Sequence, residues 1–492
     1  MKKLSEIIKN LTYTNIIGNT DIEINSIEND SRKCKDDSLF VAIKGTNSDG
    51  HKYIEDVIQQ GTKVIVCEVT PTVNDNSTTF IEVSNSRLAL AELAHAWYDF
   101  PTLDMKVIGI TGTNGKTTIT FLIKSILDSI DVKNSIIGTT GIYIGTQKLP
   151  ATHTTPDSLQ LCSYLSRMKA EGVKYVIMEV SSHALSQNRV SGISFDVAAF
   201  TNLTHDHLDY HPTMEDYASA KKQLFQMLSQ NGIAVVNGDD EYSEFMIKDI
   251  QASKKIKVGR KKDNDIIISD ERLNLDESEF NLKLNSNESL NIKARLLGRF
   301  NIDNAAMAVA ICLQLGFNKN AIAKSLKTAT GAPGRMQKII LKNKAIALVD
   351  YAHTPDALEK ALNSCRDAML TAGFKDNRLI CVFGCGGNRD KTKRPLMGKI
   401  SSRLADFTII TDDNPRIEDS SKIIQDIYYG IENGEKKKII QISNRSEAIK
   451  YAYSISEEND IILVAGKGHE TYQIVGEVKY HFDDYEELMK FV

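Results

Sequence analysis

The chain has no long uninterrupted apolar run, no marked excess of either charge and no paired-cysteine motif, and each absence removes a class of function. Without a stretch long enough to span a bilayer, it is not expected to insert into a membrane. Its 60 lysines and arginines face 64 aspartates and glutamates, a net charge of -4, so nucleic acid is not an expected partner. The seven cysteines, at 34, 67, 162, 312, 365, 381 and 385, form no C-x-x-C pair, which argues against a disulfide framework and a zinc site and predicts reduced, buried thiols. No repeat or low-complexity tract is present, and 41% apolar with 25% charged residues is the composition of an ordinary globular protein. After Met1-Lys2-Lys3 comes the amphipathic Leu4-Ser5-Glu6-Ile7-Ile8 rather than an apolar signal core, so a cytoplasmic location is expected.

At 492 residues the chain exceeds what one hydrophobic core accommodates, and division by about 150 residues per domain gives roughly three domains. Short apolar runs alternate with helical patterns, which predicts an α/β protein. Residues 1–102 combine strands at 38–43 and 64–66 with a helix at 86–98 that Pro101 closes. Residues 103–332 begin with the strand Val107-Ile108-Gly109-Ile110 and continue through apolar runs at 175–180, 195–200 and 233–236, the pattern of a mostly parallel sheet. In residues 333–492, strands at 345–350, 379–383, 407–411 and 461–465 alternate with helices in a Rossmann-like order. Gly384-Cys385-Gly386-Gly387 lacks the full G-x-G-x-x-G and its acidic partner, so it reads as a turn approaching substrate rather than a dinucleotide fingerprint.

Three stretches carry chemistry. In residues 106–118 a short strand breaks into glycines and opens a helix: Gly112 and Gly115 let backbone N–H groups close around an anion, Lys116 supplies a charge, and Thr117 offers a hydroxyl to Mg²⁺. ATP is the expected guest, although a strict P-loop would need glycine where Ile110 stands, and a glycine-rich turn with a surface lysine would look the same. Glu179 ends an apolar strand and heads Glu179-Val180-Ser181-Ser182-His183, at a carboxyl edge where α/β sheets bind ligands, a place for a Mg²⁺ ligand. The stretch from Thr201 to His211 then gathers three histidines and two aspartates. Beside a phosphate loop, an oxygen-rich Mg²⁺ site with one imidazole is favoured over closed zinc, and a polar loop capping the next helix is the alternative.

Gly112-Thr-Asn-Gly-Lys-Thr-Thr118, Glu179-Val-Ser-Ser-His183, Thr201-Asn-Leu-Thr-His-Asp-His-Leu-Asp-Tyr-His211, Gly298-Arg-Phe-Asn-Ile-Asp-Asn304, Pro333-Gly-Arg-Met336 and Asp350-Tyr-Ala-His-Thr-Pro355 together resemble the ATP-dependent Mur ligases of peptidoglycan synthesis. The match runs over the whole chain. It implies an N-terminal UDP-binding module, a central P-loop ATPase-like domain and a C-terminal Rossmann-like domain. It also implies an acyl-phosphate mechanism with ATP and Mg²⁺, acting on UDP-MurNAc-L-Ala-D-Glu and meso-diaminopimelate; a monomer is expected. An L-lysine-adding homologue and a non-catalytic nucleotide-binding protein of the same fold are the competing readings. Folylpolyglutamate synthetases share the phosphate loop, but the first domain and Asp413-Asn-Pro-Arg416 do not suit them.

By the same resemblance Lys116, Lys221, Glu179 and His207 are catalytic. Gly112, Thr113, Asn114, Gly115, Lys116, Thr117 and Thr118, with Asn304, Arg335, Asp350 and His353, would bind ATP. Thr117, Glu179, His207 and Lys221 would hold the metal, the lysine as a carbamate, because an unmodified ammonium would repel it. Lys222 beside it makes a solvated helix face the alternative. Ser31, Thr46, Asn47, Ser48, Thr154, Thr155, Ser181, Gln187 and Arg189 would hold the UDP-sugar dipeptide, a polyoxygenated anion that such side chains suit. Arg389, Asp413, Asn414, Pro415, Arg416, Gly466 and Glu470 would hold meso-diaminopimelate. Arg416 would grip the far carboxylate that lysine lacks and Glu470 would accept the distal ammonium. An Arg416 that only caps the turn and faces water is the other reading.

Overall fold

The computed structural model describes residues 1–45, 48–71, 77–207, 210–274, 277–285 and 288–492. Its largest sheet has eleven strands among the described residues and runs through the middle of the chain. Strand Lys106–Thr111 lies between Tyr175–Glu179 and Phe195–Phe200, parallel to both, with Ile108 opposite Ile177 and Val197. Successive strand residues point to opposite faces. Ile108 and Ile110 therefore join one apolar layer with Ile119, Leu122, Ile123 and Ile126, while Val107 joins the other with Leu161, Leu165 and Phe225. The four helix positions recur at i, i+3, i+4 and i+7 on Lys116–Asp128, the stripe that a helix lying on a sheet must bury. Each such side chain stabilises the fold by about 1.5–3 kcal/mol when fully covered.

The sheet is parallel from Asn134–Gly138 through Ile266–Leu273, as the apolar runs predict. Both edges depart from that expectation. Gln147–Leu149 and Gly141–Ile144 at one edge, and Ser278–Asn285 and Glu288–Ala294 at the other, pair antiparallel. In Glu288–Ala294 only alternate residues are buried, so its sequence is half polar and carries a weaker strand signal than the continuous runs at the centre.

Two smaller sheets flank this one in sequence. A five-stranded sheet spans Asn15–Ile17 to Thr79–Glu82, with the helix Ser86–Trp97 packed through Ala89, Leu90 and Leu93 on its core. A six-stranded sheet orders Gln337–Ile340, Ile346–Asp350, Ile461–Ala465, Leu379–Phe383, Phe407–Ile410 and Ile439–Gln441, all but the first parallel. All seven cysteines are free and buried, as expected. No helix among the described residues is long and apolar enough to cross a membrane.

One buried ion pair ties the carboxyl ends of the last sheet together. The Arg445 and Asp484 side chains are both 0% exposed, and Nε and Nη2 of the guanidinium each meet a carboxylate oxygen at 2.7 Å. The same guanidinium donates to the Ala465 carbonyl at 2.9 Å and the Asp412 carbonyl at 3.2 Å, the exits of two strands that flank Leu379–Phe383. Desolvation of Arg445 is tolerable only while Asp484 neutralises it. Asp484→Ala is expected to lower the urea-unfolding free energy of this region by about 3–5 kcal/mol, because an uncompensated charge would remain inside. A loss below about 1 kcal/mol would be the signature of a solvated surface pair instead.

Candidate active site

The loop between the central strand and its helix is held by the exit of the neighbouring strand. Thr201 Oγ1 donates to the Asn114 carbonyl at 2.6 Å, and Asn202 Oδ1 accepts the Asn114 N–H at 3.0 Å. Thr113 Oγ1 accepts the Thr204 N–H at 3.0 Å and lies 3.2 Å from the Tyr217 hydroxyl. Gly115 stands at the helix N-cap with φ +89°, and a β-carbon there would lie 2.4 Å from Asn304 Oδ1, so only glycine permits the approach. Gly112 to Thr118 and Asn304 are thus brought together, with Asn304 aimed by Asn301, which accepts its amide at 3.0 Å. Lys116 folds back on the Gly112 and Thr113 carbonyls, both at 2.8 Å, and burial, opposed by Glu179, lowers its pKa.

Glu179 is 1% exposed, and its carboxylate is surrounded by donors. The hydroxyls of Thr117 and Thr139 reach Oε2, each at 3.0 Å, and the Thr139 N–H reaches Oε1 at 3.0 Å. Thr139 is not visible as a site residue in the sequence, because Gly138-Thr139-Thr140-Gly141 reads as any hairpin turn. Lys221 is buried on helix Met214–Gln226, forms no hydrogen bond or ion pair among the described residues, and places Nζ 4.2 Å from the Tyr217 ring centre. Burial, and then the Lys116 ammonium, hold its pKa well below the ordinary lysine value. The solvated-face alternative does not apply to Lys221.

His207 packs edge-on against Tyr217 at 6.0 Å and His183 at 4.9 Å, so His207 and Lys221 both lie against the ring whose hydroxyl touches the phosphate loop. His211 instead turns Nε2 to Ser182 Oγ at 2.9 Å. Among the described residues no group of three or more His, Cys, Asp or Glu side chains converges as a metal cage.

Residues past 333 approach the same loop from outside. The Arg335 guanidinium lies 4.6 Å from the Tyr351 ring centre, and Nη2 reaches Thr117 Oγ1 at 3.4 Å. Its Nε is buried with no hydrogen-bond partner among the described residues. Asp350, 8% exposed, accepts the Met336 and Ala352 N–H groups, both at 2.8 Å, and burial raises its pKa. His353 Nδ1 donates to the Tyr351 carbonyl at 2.8 Å, and Asn114 Nδ2 reaches Asp356 at 3.3 Å. Gly334, at φ +65°, crosses the backbone of Gly468 and His469 so closely that a β-carbon would lie 2.1 Å from the His469 nitrogen.

A cavity of about 680 Å³ is lined by Ser31, Ser48, Gln187 and Arg189 among the expected residues, and also by Arg87, His153 and Asp157. Thr46 and Asn47 lie outside the described residues. Thr154, Thr155 and Ser181 continue from the cavity toward Glu179. Thr155 Oγ1 donates to the Glu179 carbonyl at 2.8 Å and accepts the Ser181 N–H at 3.1 Å, while Thr154 Oγ1 lies 3.1 Å from Thr139 Oγ1. Arg189 Nη1 donates to the Thr155 carbonyl at 3.0 Å and so connects the two regions.

The loops after strands Phe407–Ile410 and Ile461–Ala465 meet at a second polar cluster. Asn414 Nδ2 donates to Glu470 Oε2 at 2.9 Å, and Ile474 N–H reaches Asn414 Oδ1 at 2.9 Å. Lys467, wholly buried, sits 3.1 Å from Asn414 Oδ1, 3.3 Å from Asp413 Oδ1 and 3.6 Å from Glu470 Oε2. It is absent from the expected set because a lysine between two glycines reads as a surface loop. Burial, and then Asp413, raise the Glu470 pKa. Pro415 is buried, and Gly466 N–H donates to the Asp350 carbonyl at 3.0 Å. Arg416, at φ +53° and half-buried, donates from Nη1 to the Gly387 carbonyl at 2.8 Å, leaving Nε and Nη2 without a bond among the described residues. Its guanidinium is therefore anchored rather than loose in water. Arg389 is exposed, and no hydrogen bond among the described residues ties it to Asn414 or Arg416.

Residues 23–98 match the Mur ligase family catalytic domain, 110–312 the Mur ligase middle domain, and 334–468 the Mur ligase glutamate ligase domain. The chain is 42% identical to the UDP-N-acetylmuramoyl-L-alanyl-D-glutamate–2,6-diaminopimelate ligase of Clostridium tetani, covering 100% of this chain and 99% of that protein. It is 44% identical to the ligase of the same name from Clostridium botulinum, covering 99% of each. A solved structure bearing that ligase name superposes with a TM-score of 0.71 at 33% identity, over 99% of this chain and 98% of the other. MurF from Acinetobacter baumannii superposes at 0.61 with 20% identity, over 90% and 91%, a likeness of fold alone. With its three matched regions and full-length relatives, the chain belongs to the Mur ligase family.

Proposed function

We propose that this chain joins meso-diaminopimelate to the D-glutamate carboxylate of UDP-MurNAc-L-Ala-D-Glu at the expense of ATP, in cytoplasmic peptidoglycan precursor synthesis. Residues 1–102, 103–332 and 333–492 act as its three domains. The observation that carries the reading is the Thr117 hydroxyl, which belongs to the phosphate loop, donates to Glu179 and receives Arg335 from beyond residue 333. The ligase name shared by full-length relatives supports the choice of substrates.

The N–H groups of Gly112 to Thr118 receive the ATP phosphates, and Lys116 leaves its carbonyl partners for the γ-phosphate. A D-glutamate carboxylate oxygen attacks the γ-phosphorus, the bond to the bridging oxygen breaks, and ADP departs. The unprotonated diaminopimelate amine then attacks the acyl carbon; the tetrahedral centre expels phosphate and the nitrogen loses its proton. Lys116 holds the charge that develops at phosphorus. Asn304 and Arg335 hold the base and ribose, while Asp350 and His353 approach ATP from the last domain. Mg²⁺, held by Thr117, Glu179, His207 and carbamylated Lys221, would neutralise the transferring phosphoryl group.

The donors at Glu179 are hydroxyls and a carboxylate, which suit a hard cation, and a carbamate on Lys221 would add a further oxygen. Only a neutral amine can add to CO₂, losing a proton as the carbamate forms, and the depressed pKa of Lys221 supplies that neutral form. At the amino-acid end, the unbonded edge of the Arg416 guanidinium takes the far carboxylate of diaminopimelate, with Arg389 and Asn414 beside it. Glu470 then exchanges part of its contact with Lys467 for the distal ammonium.

Phosphate release with UDP-MurNAc-L-Ala-D-Glu, ATP and candidate amino acids tests the assignment. The kcat/KM for meso-diaminopimelate is expected to exceed that for L-lysine by about 10⁴, because lysine leaves a polar partner unpaired. Equal values would refute it. Arg416→Ala should lose most of that preference while ATP binding persists. Lys221→Ala is expected to lower kcat by about 10²–10³ with the fold retained, and acetate should restore part of the loss by supplying the missing anion. An unaltered kcat would remove Lys221 from the machinery.

A further inference from the structure

Two guanidinium groups in the 680 Å³ cavity share one neutral acceptor. Arg189 donates to Gln187 Oε1 from Nη2 at 2.7 Å and from Nε at 3.2 Å. Arg87, on helix Ser86–Trp97, directs Nη1 at the same oxygen from 3.5 Å and donates from Nη2 to the Lys44 carbonyl at 3.0 Å. Both side chains are half-buried, and neither forms an ion pair among the described residues. Asp157 faces Arg189, but its Oδ1 is engaged at the Gln160 N–H of the helix it caps. Two cations converging on an uncharged oxygen repel each other unless an anion lies between them.

The anchors of the two arginines identify that anion. Arg87 hangs from residue 44, next to Gly45, which lines the cavity with Ser48 and Ser31 on the nucleoside side. Arg189 is tied to Thr155, whose hydroxyl touches the Glu179 carbonyl on the dipeptide side. What separates a nucleoside from a muramoyl dipeptide is a diphosphate, and a planar guanidinium pairs with phosphate oxygens two at a time.

We propose that Arg87 is a diphosphate-binding residue, and that with Arg189 it forms a two-guanidinium seat joining the N-terminal unit to the central one across the substrate. The seat rests on the reading of the substrate as a uridine diphosphate sugar. Calorimetric titration of wild-type protein, Arg87→Ala and Arg87→Lys with UDP and with uridine, alongside steady-state kinetics, tests it. Arg87→Ala is expected to weaken UDP about thirtyfold or more while leaving uridine affinity in place, since only the phosphates meet the guanidinium. The KM for UDP-MurNAc-L-Ala-D-Glu should rise far more than kcat changes, the KM for ATP should hold, and Arg87→Lys should recover part of the loss with its point charge. Equal UDP affinity in wild-type and Arg87→Ala proteins overturns the seat alone. Wild-type protein that binds no UDP overturns the seat and the substrate reading together.

Discussion

An ionised carboxylate removed from water must be surrounded by donors, and the Glu179 side chain imposes that demand on the centre of this protein. Left bare, such a group would cost several kcal/mol. Thr117 and Thr139 answer it with two hydroxyls and a backbone N–H. Those donors come from the helix that opens the phosphate loop and from the turn after a neighbouring strand, so their spacing is set by the sheet itself. The charge stays where the fold puts it, with Lys116 facing it and Arg335 reaching the Thr117 hydroxyl that donates to it. A site built on strand ends holds reacting groups more closely than one built on long loops.

Legibility of this arrangement in the sequence followed burial and periodicity. The central strands are apolar on both faces and announce themselves as continuous runs; the helix Lys116–Asp128 shows its buried stripe plainly. The edge hairpin of Ser278–Asn285 and Glu288–Ala294 is half polar, and a pattern of alternate burial is easily lost among surface residues. Candidate site residues are legible where they fall in dense motifs, such as Gly112 to Thr118 or Asp413 to Arg416. Thr139, Arg87 and Lys467 carry no such signal. Each acquires its role from a partner distant in sequence: Thr139 from Glu179, Arg87 from Gln187, Lys467 from Asp413. Spacing along the chain does not encode those meetings, and only the three-dimensional path brings them about.

Charge compensation also shapes the last unit, by a different means. There Lys467 stands wholly buried between Asp413 and Glu470, and Asn414 is oriented by donors and acceptors on both sides. The cluster leaves Arg416 held at one edge by the Gly387 carbonyl, an anchor that spares its other nitrogens. Preorganisation of this kind lowers the ordering cost of gripping a carboxylate, which is how a guanidinium on a loop can act as a selective partner.

The strand exits that bear these loops are clamped by Arg445, and the carboxylate that makes Arg445 tolerable is contributed by residue 484. On the ribosome, the strands of this six-stranded sheet, the last of them Ile461–Ala465, are made before that residue is. Until helix Asp484–Met489 is made and docks, the guanidinium lacks its counter-charge and has no reason to leave water. Fastening of the Asp413 and Gly466 loops thereby waits on Asp484, so a nascent chain stalled before that residue would carry the finished phosphate loop but an unfastened end of the last sheet.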